Sequence, residues 1–257
     1  MGSRWLFLLL LLLAFSLQAE PCSQQQLDRE AAVTRVYDAD TLTLADGTRV
    51  RLLGIDAPEM GRNGQPSEAF AVAGRDYLRQ LLANNGQRVR LDYGVESRDR
   101  HGRLLAYAFL PDGRNINRLL LEAGYVMQMF VAPDTRYATC LQPYEDQALQ
   151  AGRGIWSLAE NQPGLAATEI TSADTGGARV YGRVVRVARS RHNLWINLQG
   201  RLALQIPAEH LPAFEGLPLE QLEGRRVRTR GWLVEDRNRY QDWRLQVTSP
   251  LALEVLD

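Results

Sequence analysis

The sequence contains no lysine; all thirty of its Lys and Arg residues are arginine. Genome base composition accounts for such a bias as readily as function does. The physical consequence is the same either way. Each of these cations is a planar, permanently charged fork whose geometry suits phosphate. The formal net charge is +0, which excludes a global attraction for polyanions, so any anion must be recruited locally. Cysteine and histidine are scarce as well. Two Cys and three scattered His (His101, His192 and His210) have no metal-ligand spacing, which argues against a zinc site. Internal repeats and coiled-coil heptads are missing. Global disorder is excluded by a hydrophobic content of 45%.

The long apolar run lies at the start. In "MGSRWLFLLLLLLAFSLQAE", Arg4 is followed by an apolar stretch from Trp5 to Leu17 and then by Ala19. This pattern predicts a secretory signal peptide over residues 1–19, cut after Ala19. A membrane span takes about 20 apolar residues, so a retained anchor is the weaker alternative. The expectation is an exported protein, periplasmic or secreted, with no membrane attachment after cleavage. Export brings oxidising conditions. Cys22 and Cys140 are therefore expected to form a disulfide that ties the mature N-terminus to a later loop, with two free thiols as the alternative.

Residues 30–160 read as one domain of mixed type, residues 161–177 as a linker, and residues 178–257 as a second, smaller domain. Strands are predicted at Val33–Tyr37, Thr41–Leu44 and Arg49–Leu53, with "ADGT" as the hairpin turn. A helix follows Ser67 as its cap. Two strands come next, "QRVRLDY" and "RLLAYAFLPDG", then helices in "INRLLLEAGYVM" and "YEDQALQAGRGIW". The segment "NQPGLAATEITSADTGGA" is poor in large apolar residues and rich in Gly, Ser, Thr and Ala. Beyond it come five short strands with a helical insert, the outline of a partly open β-barrel. Charge divides along the same line. Thirteen Arg oppose nine Asp and Glu from Ala178 onward, against fifteen and seventeen from Glu30 to Glu160.

One corner concentrates charge. Asp38 and Asp40 are two apart at a strand edge and point the same way. Arg51 precedes a turn at Gly54 that delivers Asp56, and Glu59 follows behind Pro58. If the hairpin pairs as predicted, Asp40 and Asp56 meet at one end of the sheet. Two carboxylates with nearby carbonyls and water suit a hard cation, Ca²⁺ in preference to a soft metal. A further carboxylate left unligated could take a proton from water. Singly, each Asp is ordinary turn chemistry; the five residues together are not. In "SRDRHGRLLAY", Arg103 enters a strand, where a fixed guanidinium can grip a phosphate oxygen.

The segments "DADTLTL", "VRLLGIDAPE", "DRHGRLLAYAFLPDGRNIN" and "LLLEAGYV" resemble, in order and spacing, the staphylococcal-nuclease-like (thermonuclease) family from about Val33 to Trp156. The resemblance implies a calcium-dependent phosphodiesterase acting on DNA and RNA. It implies a five-stranded OB-type barrel with three helices. Position by position, it implies Asp40 and Asp56 as calcium ligands with the carbonyl of Ala57. Glu59 becomes the general base or water-positioning carboxylate, and Arg51 and Arg103 become the phosphate clamps. It also implies rupture of the bond to the 5′ oxygen. His101 stands where a tyrosine lines the nucleotide pocket, and of the aromatic pair expected there Phe130 remains.

The C-terminal region resembles OB-type domains appended to some bacterial thermonuclease-like proteins. Arg226, Arg228 and Arg230 alternate with apolar residues, and Trp195, Trp232, Tyr240 and Trp243 are candidate stacking platforms. Cations paired with aromatics are how single strands are held. The alternative is that these aromatics are core and the arginines a solvated face. Two competing readings of the whole chain are a catalytically silent nucleic-acid-binding protein and a cell-envelope interaction protein on the same fold.

Overall fold

The structure, a computed structural model, describes residues 22–257; the signal peptide expected at residues 1–19 lies outside them. From the N-terminus come β1 (Arg29–Val36), β2 (Thr41–Leu44), β3 (Arg49–Leu52), β4 (Ile55–Asp56) and α1 (Ala71–Ala83). Then follow β5 (Arg88–Arg98), β6 (Leu104–Phe109), α2 (Ile116–Ala123), β7 (Met127–Gln128) and α3 (Ala138–Gln150). Five strands close a barrel in the order β1-β2-β3-β6-β5, with β3 and β6 parallel. The pair β4 and β7 stands outside it.

Alternation along the strands drives this closure. On β3, Val50 and Leu52 are buried while Arg49 and Arg51 take the other face. Leu42, Leu91, Ala106 and Phe109 meet them in the interior, beneath Leu78 and Leu82 of α1 and Leu120 and Leu121 of α2. Each such large side chain contributes about 1.5–3 kcal/mol by leaving water. The β2–β3 hairpin turns through Gly47, whose φ of +85° suits glycine. Its register sets Thr41 opposite Arg51, which brings Asp40 beside that arginine.

The second half adds β8 (Leu165–Ala166), β9 (Gly176–Arg189), β10 (Asn193–Leu198), β11 (Leu202–Pro207), β12 (Arg226–Glu235), β13 (Trp243–Gln246) and β14 (Leu253–Val255). Pairing of β12 with β9 closes a second five-stranded barrel from β9, β10, β11, β13 and β12, and β8 and β14 extend it at the margins. Its β11 and β13 are parallel, as β3 and β6 are in the first barrel. The two barrels share one topology. Among the described residues no helix is long and apolar enough to cross a membrane.

Three local expectations are corrected. Ser67 does not cap α1: its Oγ accepts from the Gly61 N–H at 3.0 Å, and the N-cap position falls on Phe70 at φ +67°. The helix α3 begins at Ala138, well before Tyr144, because Ala138 and Leu141 already bury an apolar face there. Residues 161–177 are not a bare linker. Leu165 and Ala166 pair in parallel with Val180 and Tyr181, and Thr171 caps a short turn with Asp174.

The two barrels touch. Glu145 of α3 is 1% exposed and forms an ion pair with Arg230 of β12, which also donates to the Gln128 carbonyl at 3.1 Å. Thr248 Oγ1 accepts from the Ala132 N–H at 3.0 Å. Cys22 and Cys140 are joined in a disulfide, which fastens the start of the described chain to α3.

Candidate active site

The corner between β3 and β4 gathers the charges. Arg51 Nη1 lies 3.0 Å from Asp40 Oδ2, and its Nη2 donates to Asp56 Oδ1 at 2.6 Å. One guanidinium thus joins two carboxylates, one before β2 and one after β3, at the open end of the hairpin. The backbone holds it there: Nη1 also donates to the carbonyls of Leu52 and Ile55, both at 2.8 Å. Asp40 is fixed in turn. Its Oδ2 accepts from the Ala57 N–H at 2.7 Å and its Oδ1 from Thr41 Oγ1 at 2.9 Å. Asp38 Oδ1 accepts from the Asp40 N–H at 3.1 Å.

Burial and crowding set the electrostatics. Asp38 is pushed up to about 7, mainly by burial and then by neighbouring Asp40. Asp56 is also pushed up to about 7; burial contributes most, Arg51 opposes it, and Asp40, Glu59 and Glu68 add repulsion. Burial alone would lower Arg51, but the surrounding carboxylates, Asp40 and Asp56 first, outweigh that and raise it. Glu59 is raised by partial burial and by Asp40. Its N–H donates to Glu68 Oε2 at 2.8 Å, which ties the Glu59 loop to the approach to α1. Asp56, Glu59 and Glu68 line a cavity of about 340 Å³.

A hard cation fits this donor set in part. Asp40 and Asp56 offer oxygens that one guanidinium already brings together, and the crowded carboxylates lose repulsion when a cation joins them. Among the described residues no group of three or more His, Cys, Asp or Glu is arranged around a single metal position. Carbonyls and water would have to complete the shell.

The other expected residues are dispersed. Arg103 Nε donates to Asp99 Oδ2 at 2.6 Å, and that aspartate also accepts from the Arg103 N–H. The pair holds the β5–β6 turn. His101 is exposed at the tip of that turn, beside Arg100. Phe130 and Trp243 are both buried in the core of the second barrel, at 5% and 6% exposure. Neither presents a ring face to solvent. Arg228 lies 3.0 Å from Glu254, and Arg230 is taken up by Glu145, so the expected basic stripe is largely neutralised within the protein. Trp232 is different: it is 48% exposed and lines the same cavity as Asp56 and Glu59. Sequence reasoning missed Thr41 and Glu68. It also missed Gly177, whose signal was the glycine pair that opens β9.

A family profile described as staphylococcal nuclease homologue matches residues 49–158. The chain is 35% identical over 127 residues to a thermonuclease of Staphylococcus intermedius, covering 48% of this chain and 74% of that protein. It is 33% identical over 129 residues to a thermonuclease of Staphylococcus hyicus, with 49% and 74% covered. It is 32% identical over 139 residues to an uncharacterized endonuclease of Escherichia coli O157:H7, with 53% and 82% covered. The profile match ends at residue 158, ahead of the second barrel.

Proposed function

The chain belongs to the staphylococcal nuclease family and is a nuclease, and from that premise we propose a calcium-dependent hydrolysis of DNA or RNA phosphodiesters, carried out at the corner of β3 and β4. The observation that carries this reading is the single guanidinium of Arg51 joined to both Asp40 and Asp56. Asp40 and Asp56 are the side chains to hold Ca²⁺, with the Ala57 carbonyl nearby. When bound, the cation supplies charge neutralisation where the phosphate gains negative charge.

The chain's own residues do the rest. Glu59 orients a water molecule and takes its proton, a task suited to a carboxylate raised above its ordinary value. The water oxygen bonds to phosphorus as the bond to the 5′ oxygen breaks, leaving a 3′-phosphate, and the departing 5′ oxygen takes up a proton from solvent to become a hydroxyl. Arg51 has its Nε–H and one Nη2 hydrogen without a partner among the described residues, so these remain for the phosphate oxygens. Arg103 supplies the second fork once it loosens from Asp99. Donors aimed at developing charge in a water-poor site contribute most to such a reaction.

Export to the periplasm or medium is part of the proposal, and the Cys22–Cys140 bridge supports it, since such bonds persist in oxidising compartments. The test is cleavage of DNA and RNA by the purified mature protein with calcium and with a calcium chelator. Cleavage should require calcium. Equal cleavage in chelator would remove the cation from the mechanism.

A further inference from the structure

The second barrel forms one wall of the catalytic cavity. Gly177 is the second residue of β9, and a Cβ added there would overlap Asp56 Oδ2. Only glycine lets the strand lie this close to the carboxylate. Register then fixes what stands beside it. Gly177 pairs with Trp232 across β9 and β12. Residues directly opposite in an antiparallel pair point to the same face, with Cβ positions about 5 Å apart. The Trp232 side chain therefore stands on the Asp56 side of the sheet, about one residue width from that carboxylate. Two places back on the same face, Arg230 is anchored to Glu145 and the Gln128 carbonyl of the first domain. That anchor holds β12 against the first barrel and keeps the indole at the cavity.

The chemistry of the cavity says which part of a nucleotide belongs there. Asp56, Glu59, Glu68, Glu160 and Asp174 line it, and among the described residues no arginine does. Beyond the position proposed for the cation, such a lining repels phosphate. Phosphate belongs on the Arg51 side, which leaves the uncharged base for the half-exposed indole. The volume of about 340 Å³ is near the lower end of small-ligand sites, about 300–1,000 Å³. It has room for one base with its sugar and not for a base-paired duplex. We propose that Trp232 stacks on an unpaired base next to the cleaved phosphate, so that the second barrel selects single-stranded nucleic acid for the nuclease site of the first. This rests on the proposed calcium-dependent chemistry at Asp40, Asp56 and Glu59.

The experiment measures kcat and KM of the mature protein, in calcium, on one oligodeoxynucleotide as a single strand and as its duplex. Wild type, Trp232→Ala and Trp232→Phe are compared. The single strand should be cut faster by the wild type. Trp232→Ala should raise KM for it by about 5- to 150-fold, the range of one lost base–aromatic stack. Trp232→Phe should recover most of that loss, because a smaller ring still stacks. A KM within twofold of wild type in Trp232→Ala would overturn the inference while the calcium chemistry stood. So would a loss confined to kcat, or one that Trp232→Phe fails to recover. A wild type that cuts neither form fails the parent reading and this inference with it.

Discussion

The same barrel topology occurs twice in this chain, and only the first copy gathers a corner of crowded carboxylates around one guanidinium. In the first barrel, β3 ends in a corner where Arg51 meets Asp40 and Asp56. In the second, the corresponding β11 is apolar apart from Gln205, a neutral amide that bonds Asn193 and Arg244. The buried carboxylates, including the two pushed up to about 7, all sit in the first copy. The second has a buried arginine instead, Arg179, which burial and then Arg230 and Arg228 pull down to about 10. A barrel of this kind is a scaffold, and activity depends on which residues its loops deliver. The second copy contributes through its surface, with Gly177 and Trp232 set against the site of the first.

The sharpest way to break this division of labour is Glu59→Gln. Turnover should fall by about 10²–10⁴-fold, the usual worth of a positioned acid or base, while calcium and nucleic-acid binding persist. Turnover that survives would mean another residue activates the water, and the second barrel would have to be searched for it.

Next in size is the disulfide, which serves the first barrel alone. Cys22 and Cys140 are 118 residues apart in sequence, and closing a loop of that order is worth about 5 kcal/mol through the unfolded chain. Denaturation of Cys22→Ser/Cys140→Ser should be shifted by that much for the first barrel and little for the second. A shared shift would indicate that the two barrels unfold as one unit.

The joint between the copies comes third. Arg230→Met strands Glu145, which is 1% exposed, and an unpaired buried charge costs about 3 kcal/mol or more. Chemical denaturation should record that loss, and Glu145→Gln in the same background should recover part of it. No loss in Arg230→Met would mean that Glu145 finds water and the joint is loose.

The last expected effect is a pH slope in the first copy. Burial, and then Asp40, push Asp38 up to about 7 in the folded state, against about 3.9 in an unfolded chain. Between those values the unfolded chain has released its proton while the folded one keeps it. Stability should therefore fall as pH rises from about 4 to about 7. Melting temperature in chelator should drop across that window, and Asp38→Asn should flatten the drop. A melting temperature that climbs across the window in wild type would show that Asp38 is ionised throughout.

Much of the first copy was legible in the sequence. The hairpin at "ADGT" fixes register by its turn, so the meeting of Asp40 and Asp56 followed from strand geometry. Periodicity also located α1 and α2, though not the start of α1, which a positive φ at Phe70 decides. The second copy was legible as strands and less so as a surface. Trp232 and Trp243 look alike in sequence, but one is 48% exposed and the other 6%. Only the long-range pairing of β9 with β12 decides which ring faces the site. Phe130 misled for the same reason: it follows β7 in the first domain but is buried in the core of the second barrel. The arginines of β12 could be counted, but their partners Glu145 and Glu254 lie 85 and 26 residues away.

The most direct test is a crystal of the mature protein soaked in calcium and examined by anomalous scattering. We expect one calcium ion touching an oxygen of Asp40 and an oxygen of Asp56, with the Arg51 guanidinium drawn off at least one of them. An ion bound elsewhere, or none at a calcium concentration that supports cleavage, would contradict the assignment of this corner as the catalytic centre.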